Sequence, residues 1–198
     1  MIRLIGVYDY TVILTYMSLC SAVLGIVFAD QGRFTGAVLC VLTSGIFDAF
    51  DGTVARTKKN RTEDEKAFGI QLDSLCDVVA FGVCPAFICY SMGTDGVLGV
   101  AFAMLYCLCA VIRLAFFNVL EANRQKTEGG CNKYYRGLPV TSISMIFPLI
   151  YFLRFAVPEQ VFVWILHGML AVVAFLFVLD FKVKKPDFSK CFAGSNRK

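Results

Sequence analysis

Charge is scarce in this chain. Only 17% of its 198 residues are Asp, Glu, Lys or Arg, while 58% are hydrophobic. A soluble domain of this length has too little interior to absorb so many large apolar side chains. The basic residues form no stripe interleaved with aromatics, so nucleic acid is not an expected partner. The nine cysteines include no C-x-x-C pair. Most of them, such as Cys20, Cys40, Cys84, Cys89, Cys107 and Cys109, sit inside apolar blocks, where cysteine acts as a small hydrophobe. No small extracytoplasmic domain is present for a disulfide framework to staple. Histidine is nearly missing. His167, alone in the last apolar block, reads as a packed or hydrogen-bonded interior residue and not as a metal ligand. Asp9, Thr11, Thr15 and Ser18 interrupt the first block, which is read as a retained helix and not as a cleaved leader. There is no internal repeat and no low-complexity segment.

What the chain does have is long apolar blocks. Six run over Thr11–Ala29, Phe34–Val54, Phe68–Ser91, Val97–Leu120, Leu138–Phe155 and Glu159–Phe181. Each is long enough to cross a hydrocarbon core of about 30 Å. The expected fold is an all-α integral membrane bundle of six transmembrane helices. Residues 1–10, with Ile2, Leu4, Ile5 and Val7, are expected to add a short N-terminal interfacial helix. Residues 1–181 make one membrane domain and 182–198 a basic, partly disordered tail. The joints alternate in charge. Arg56, Lys58, Lys59, Arg61 and Lys66 follow the second span, Arg124, Lys126, Lys133 and Arg136 follow the fourth, and six Lys or Arg residues lie beyond Phe181. The positive-inside rule therefore places both termini and both long joints in the cytoplasm, in a multi-pass protein of the cell membrane.

Four aspartates bracket the first basic joint. Asp48 and Asp51 lie near the end of the second span, Asp73 and Asp77 near the start of the third. An aspartate deep in a membrane helix costs roughly 2.5–3.5 kcal/mol, so each needs a partner or a task. Asp48 and Asp51 are i, i+3 and project within about 60° of each other; Asp73 and Asp77 are i, i+4, about 40° apart. Two antiparallel helices can aim all four carboxylates at one volume. Such charges repel unless cations neutralise them, and hard oxygen ligands suit Mg²⁺ or Mn²⁺, as two ions clamping a phosphoryl group. Gly52, Ala55 and Gly69 lie on the same helix faces and let a ligand or a partner helix approach. Arg56 ends the run, within reach of a phosphate. The competing expectation is that the aspartates merely pair with Arg56, Lys58, Lys59 and Lys66.

The pattern Asp48-x-x-Asp51-Gly52-x-x-Ala55-Arg56 followed by Gly69-x-x-x-Asp73-x-x-x-Asp77 resembles the motif of the CDP-alcohol phosphotransferase family. The joint Thr57–Phe68, at twelve residues, is longer than the family's usual one. Within the family, Leu72–Asp77 with Phe81–Ala86, Arg113–Asn118 and Tyr135–Val140 resemble the bacterial and archaeal phosphatidylserine synthases. The resemblance implies a homodimer of six-helix subunits whose active site opens to cytoplasm and membrane. It implies CDP-diacylglycerol as donor, L-serine as acceptor, and membrane lipids around both. Asp48, Asp51, Asp73 and Asp77 would hold the metal, and Asp77 would also act as the catalytic general base. Gly52, Ala55, Arg56, Gly69 and Ser74 would receive the CDP-lipid. Arg113, Asn118, Lys133 and Arg136 are the candidates for binding the acceptor, the two arginines because a guanidinium grips a carboxylate through two parallel bonds. Asn118 is i+5 from Arg113, about 140° around a helix, so the two need not face one ligand.

Two rival expectations remain. One keeps the chemistry and changes the acceptor to glycerol phosphate, inositol phosphate or another alcohol. A glycerol-phosphate enzyme of this family usually has Pro and Lys where Ser74 and Val78 stand. The other is a cation-coupled transporter, which would prefer acids near the midplane and matching broken helices in two halves.

Overall fold

The computed structural model describes residues 6, 10–55, 57–58, 61–127 and 134–184. Among the described residues seven α-helices follow one another: α1 (Ile13–Asp30), α2 (Phe34–Ala55), α3 (Glu63–Asp77), α4 (Cys84–Ser91), α5 (Val97–Thr127), α6 (Ile143–Phe152) and α7 (Glu159–Val178). The expected interfacial helix over residues 1–10 lies almost wholly outside the described residues. Five helical segments are long and apolar enough to span a bilayer, with α3 and α4 joined into one of 29 residues. The sixth, Val140–Phe155, is shorter. Its ends are 3₁₀ turns, which rise more steeply per residue and bring it to about 27 Å, near the thickness to be crossed. The chain is thus an integral membrane helical bundle, as its composition implies.

Two boundaries differ from the sequence-based expectation. The third span begins at Glu63 and not Phe68, because Thr62 caps it. The Thr62 hydroxyl accepts from the Glu65 N–H at 3.1 Å, and the Glu65 carboxylate accepts from the Thr62 N–H at 3.0 Å. This reciprocal pair, with three acids in the first turn, nucleates a polar helical turn that hydropathy alone does not mark. The last helix stops at Val178, short of Phe181, where Leu179 turns extended. Beyond it, β2 (Lys182–Lys184) pairs antiparallel with β1 (Tyr134–Arg136), so the start of the expected tail is tied to the α5–α6 joint.

Small polar residues let α1 and α2 pack closely. Ser18 and Ser44 share a hydroxyl–hydroxyl bond at 2.7 Å, and Ser21 donates to the Cys40 carbonyl at 2.9 Å. A Cβ at Gly45 would collide with Ser144, so α2 meets α6 at a glycine. The interior holds Phe81, Tyr106, Phe147, Leu166 and Phe177, while Leu75, Met104, Leu149 and Phe175 point outward. An apolar exterior is what lipid requires.

Between α3 and α4 the helix widens into a π turn, Val78–Val83, where the Cys84 N–H reaches back five residues to the Val79 carbonyl. The cause is local. Pro85 has no N–H to offer the Phe81 carbonyl, and its ring crowds that turn. The fully buried Tyr106 of α5 fills the gap, its hydroxyl donating to the Phe81 carbonyl at 2.5 Å. Tyr106→Phe should therefore destabilise the bundle by about 1–2 kcal/mol by stranding a buried carbonyl. Denaturant titration in detergent measures this; unchanged stability would contradict it.

Candidate active site

Asp48 lies in the penultimate turn of α2, Asp73 and Asp77 in the last two turns of α3. One carboxylate oxygen from each lies within 4.8 Å of the others. The ends of α2 and α3 thus bring three of the four acids together. Asp77 is the most enclosed, 7% exposed, and is the last residue before the π turn. Asp51 stands one turn further along α2, its carboxylate against that of Asp73, though it is not one of the three that are all mutually close. It accepts a hydrogen bond from Thr15 Oγ1 of α1 at 3.2 Å.

The ion-pair expectation fails for the residues that can be checked. Lys58 pairs with Glu65 at 3.1 Å and Lys66 with Glu63 at 2.7 Å. Among the described residues no Lys or Arg forms an ion pair with the four aspartates. Arg56 and Lys59 lie outside them. Asp73 Oδ1 is buried with no hydrogen-bond partner. Three converging carboxylates and one unsatisfied buried oxygen fit a hard divalent cation, which would supply the missing charge and ligation.

Two cavities meet at this cluster, and Ile70 and Asp73 line both. The smaller, about 140 Å³, is formed by α1, α2 and α3 and contains Asp51, Gly52, Ala55 and Gly69. The larger, about 330 Å³, contains Asp48, Asp77, Ser74, Arg113, Asn118 and Thr141. Ser74 thus lies apart from the small residues with which the motif groups it. Its hydroxyl donates to Asn118 Oδ1 at 3.0 Å, and Asn118 Nδ2 lies 2.8 Å from the same hydroxyl. Arg113, 7% exposed, donates from Nε to the Leu138 carbonyl at 3.1 Å. Gly137 permits this approach: it adopts φ +71°, and a Cβ there would sit 3.4 Å from the guanidinium. Arg113 and Asn118 line one cavity despite their angular separation, because α3 and the Pro139–Thr141 segment fold around that side of α5. Lys133 and the Arg136 side chain fall outside the described residues. His167 bonds to its own helix through Nδ1 and the Val163 carbonyl at 2.8 Å, far from the acids in sequence and in role.

Sequence reasoning missed Thr15 and Arg61, both of which line the smaller cavity. In sequence Thr15 is a polar interruption of an apolar block and Arg61 one member of a basic run, and neither carries a signal of its own.

The CDP-alcohol phosphatidyltransferase family model matches residues 10–179, most of the chain. The chain belongs to this family. CDP-alcohol phosphatidyltransferases in general depend on a divalent metal, and the acidic trio here is suited to one. The chain is 36% identical over 129 residues to the archaetidylserine synthase of Methanothermobacter thermautotrophicus, covering 65% of this chain and 51% of that protein. It is 30% identical over 175 residues to the CDP-diacylglycerol–serine O-phosphatidyltransferase of Mycobacterium bovis, covering 87% and 59%. It is 38% identical over 116 residues to the protein of the same name from Saccharomyces cerevisiae, covering 58% and 41%. The matches span roughly half the length of these relatives. No solved structure matches the chain significantly.

The geometry ranks the acids. Asp73→Asn should lower the affinity of the purified protein for Mn²⁺ by at least about tenfold, and Asp51→Asn by less, since carboxylate count sets the affinity of such sites. Electron paramagnetic resonance of free Mn²⁺ reads both. Equal losses would place Asp51 inside the group.

Proposed function

We propose that this chain transfers a phosphatidyl group from CDP-diacylglycerol to L-serine, forming phosphatidylserine and releasing CMP. The observation that carries the reading is the carboxylate trio at the meeting of two cavities, one floored by glycine and one holding Arg113. The names of the archaeal, bacterial and yeast relatives differ in the lipid but share serine, which favours serine over inositol phosphate or glycerol phosphate.

The smaller cavity receives the nucleotide diphosphate, with Gly52, Ala55 and Gly69 leaving room for it. Asp48, Asp51, Asp73 and Asp77 would hold Mg²⁺ or Mn²⁺, as a pair of ions, and that charge would neutralise the diphosphate and the leaving CMP. The larger cavity receives serine. The Arg113 guanidinium holds its carboxylate, and Asn118, fixed by Ser74, orients the amino acid. Lys133 and Arg136 are acceptor candidates on the family motif alone. Asp77 takes the serine hydroxyl proton as the oxygen attacks the phosphorus bearing diacylglycerol and the bond to CMP breaks. Asp77 is the acid best placed for this: it is enclosed and lines the acceptor cavity, whereas Asp51 lines only the other.

The basic joints orient the chain in the cell membrane with both termini and the site toward the cytoplasm. Residues 1–181 form the catalytic membrane domain, 182–198 a basic cytoplasmic extension, and the working unit is a homodimer.

In nanodiscs containing CDP-diacylglycerol, CMP release should require both serine and a divalent metal. Asp77→Asn should lower the rate by about 100-fold or more, the range of a lost general base. Arg113→Gln should raise the serine KM by about tenfold with little change in the CDP-diacylglycerol KM. CMP release with glycerol phosphate or inositol phosphate in place of serine would reassign the acceptor. Metal-dependent cation flux without CMP release would overturn the reading.

A further inference from the structure

The long joint before α3 delivers a cation to the smaller cavity. Arg61 immediately precedes the Thr62 cap, and its Nη2 donates to the Glu65 carbonyl at 3.1 Å. That bond folds the side chain back along α3 onto Gly69, where a Cβ would sit only 2.7 Å from Nη2. Any other residue at position 69 would push the guanidinium away. Arg61 therefore shares a cavity wall with Asp51, Gly52, Gly69 and Asp73.

Its neighbours in the joint are already neutralised, Lys58 by Glu65 and Lys66 by Glu63. Arg61 forms no ion pair with any described residue, although two carboxylates line the same cavity. Its Nε is buried without a hydrogen-bond partner. A guanidinium facing carboxylates across a glycine floor, without pairing to them, leaves space for an anion bridging the cation and the charge those carboxylates hold. Its planar fork suits phosphate oxygens.

We propose that Arg61 is a diphosphate-binding residue for the CDP-lipid, brought to the site by the lengthened joint. This rests on the proposed function, in which the smaller cavity takes the nucleotide diphosphate. The division of labour follows: Arg61 grips the donor from the glycine side, and Arg113 the acceptor from the other.

The test is nucleotide binding by the full chain in nanodiscs with Mn²⁺, by titration with CDP, CDP-diacylglycerol and cytidine. Arg61→Gln should weaken CDP and CDP-diacylglycerol by about tenfold or more, as for a lost hydrogen bond to a charged group. Arg61→Lys should retain part of the affinity, and cytidine should change by less than about twofold. The serine KM should not move. Unchanged CDP affinity in Arg61→Gln beside normal wild-type binding overturns this assignment alone. So does an equal loss for cytidine, which marks a purely structural role. A wild-type chain that binds no CDP overturns the proposed function and the assignment with it.

Discussion

Like charges held close in a low-dielectric setting repel by several kcal/mol, and the rest of this structure is organised around tolerating that repulsion. Asp48, Asp73 and Asp77 converge within hydrogen-bonding reach of a single ion, yet none is ion-paired with a described lysine or arginine. Two basic residues near the adjoining joint, Lys58 and Lys66, are paired with Glu65 and Glu63, acids that start α3. The helix cap thus has a second effect. By engaging Lys58 and Lys66, the first-turn acids keep both from the aspartates, whose trio is suited to a metal ion.

Geometry around the cluster follows from small residues and one proline. Gly52 and Gly69 keep the smaller cavity open, and Gly45 lets α6 approach α2. Pro85 forces the π turn directly after Asp77, and Tyr106 pairs the carbonyl that the proline strands. Tyr106 and Arg113 are seven residues apart on α5, hence on one face. The residue that repairs the π turn and the residue lining the larger cavity are carried by the same rigid element. Asp73 and Ile70 line both cavities, so the two cavities share one wall at the acidic cluster.

The spans were legible because a bilayer of fixed thickness demands apolar runs of fixed length, and six such runs are written into the chain. The polar start of α3 was not, since a capping box adds stability without hydrophobicity. Nor was the pairing of Lys182–Lys184 with Tyr134–Arg136, a contact between segments almost fifty positions apart with no periodic signal. Among site residues, the carboxylates were readable from i, i+3 and i, i+4 spacing. Arg61 was hidden in a run of charge whose members look alike in sequence. Only their partners separate them.

The sequence by itself determined that this is a helical membrane protein with a metal-suited acidic cluster. Both conclusions rest on local rules, the cost of exposing polar groups to lipid and the pitch of a helix. Tertiary structure decided how the acids are arranged, with Asp48, Asp73 and Asp77 mutually close and Asp51 accepting from Thr15. It also decided that Ser74 belongs with Asn118 and Arg113, and that Arg61 reaches the glycine floor. These are relations between elements distant in sequence, fixed by how α1, α3 and α5 pack, and no periodicity within one helix encodes them.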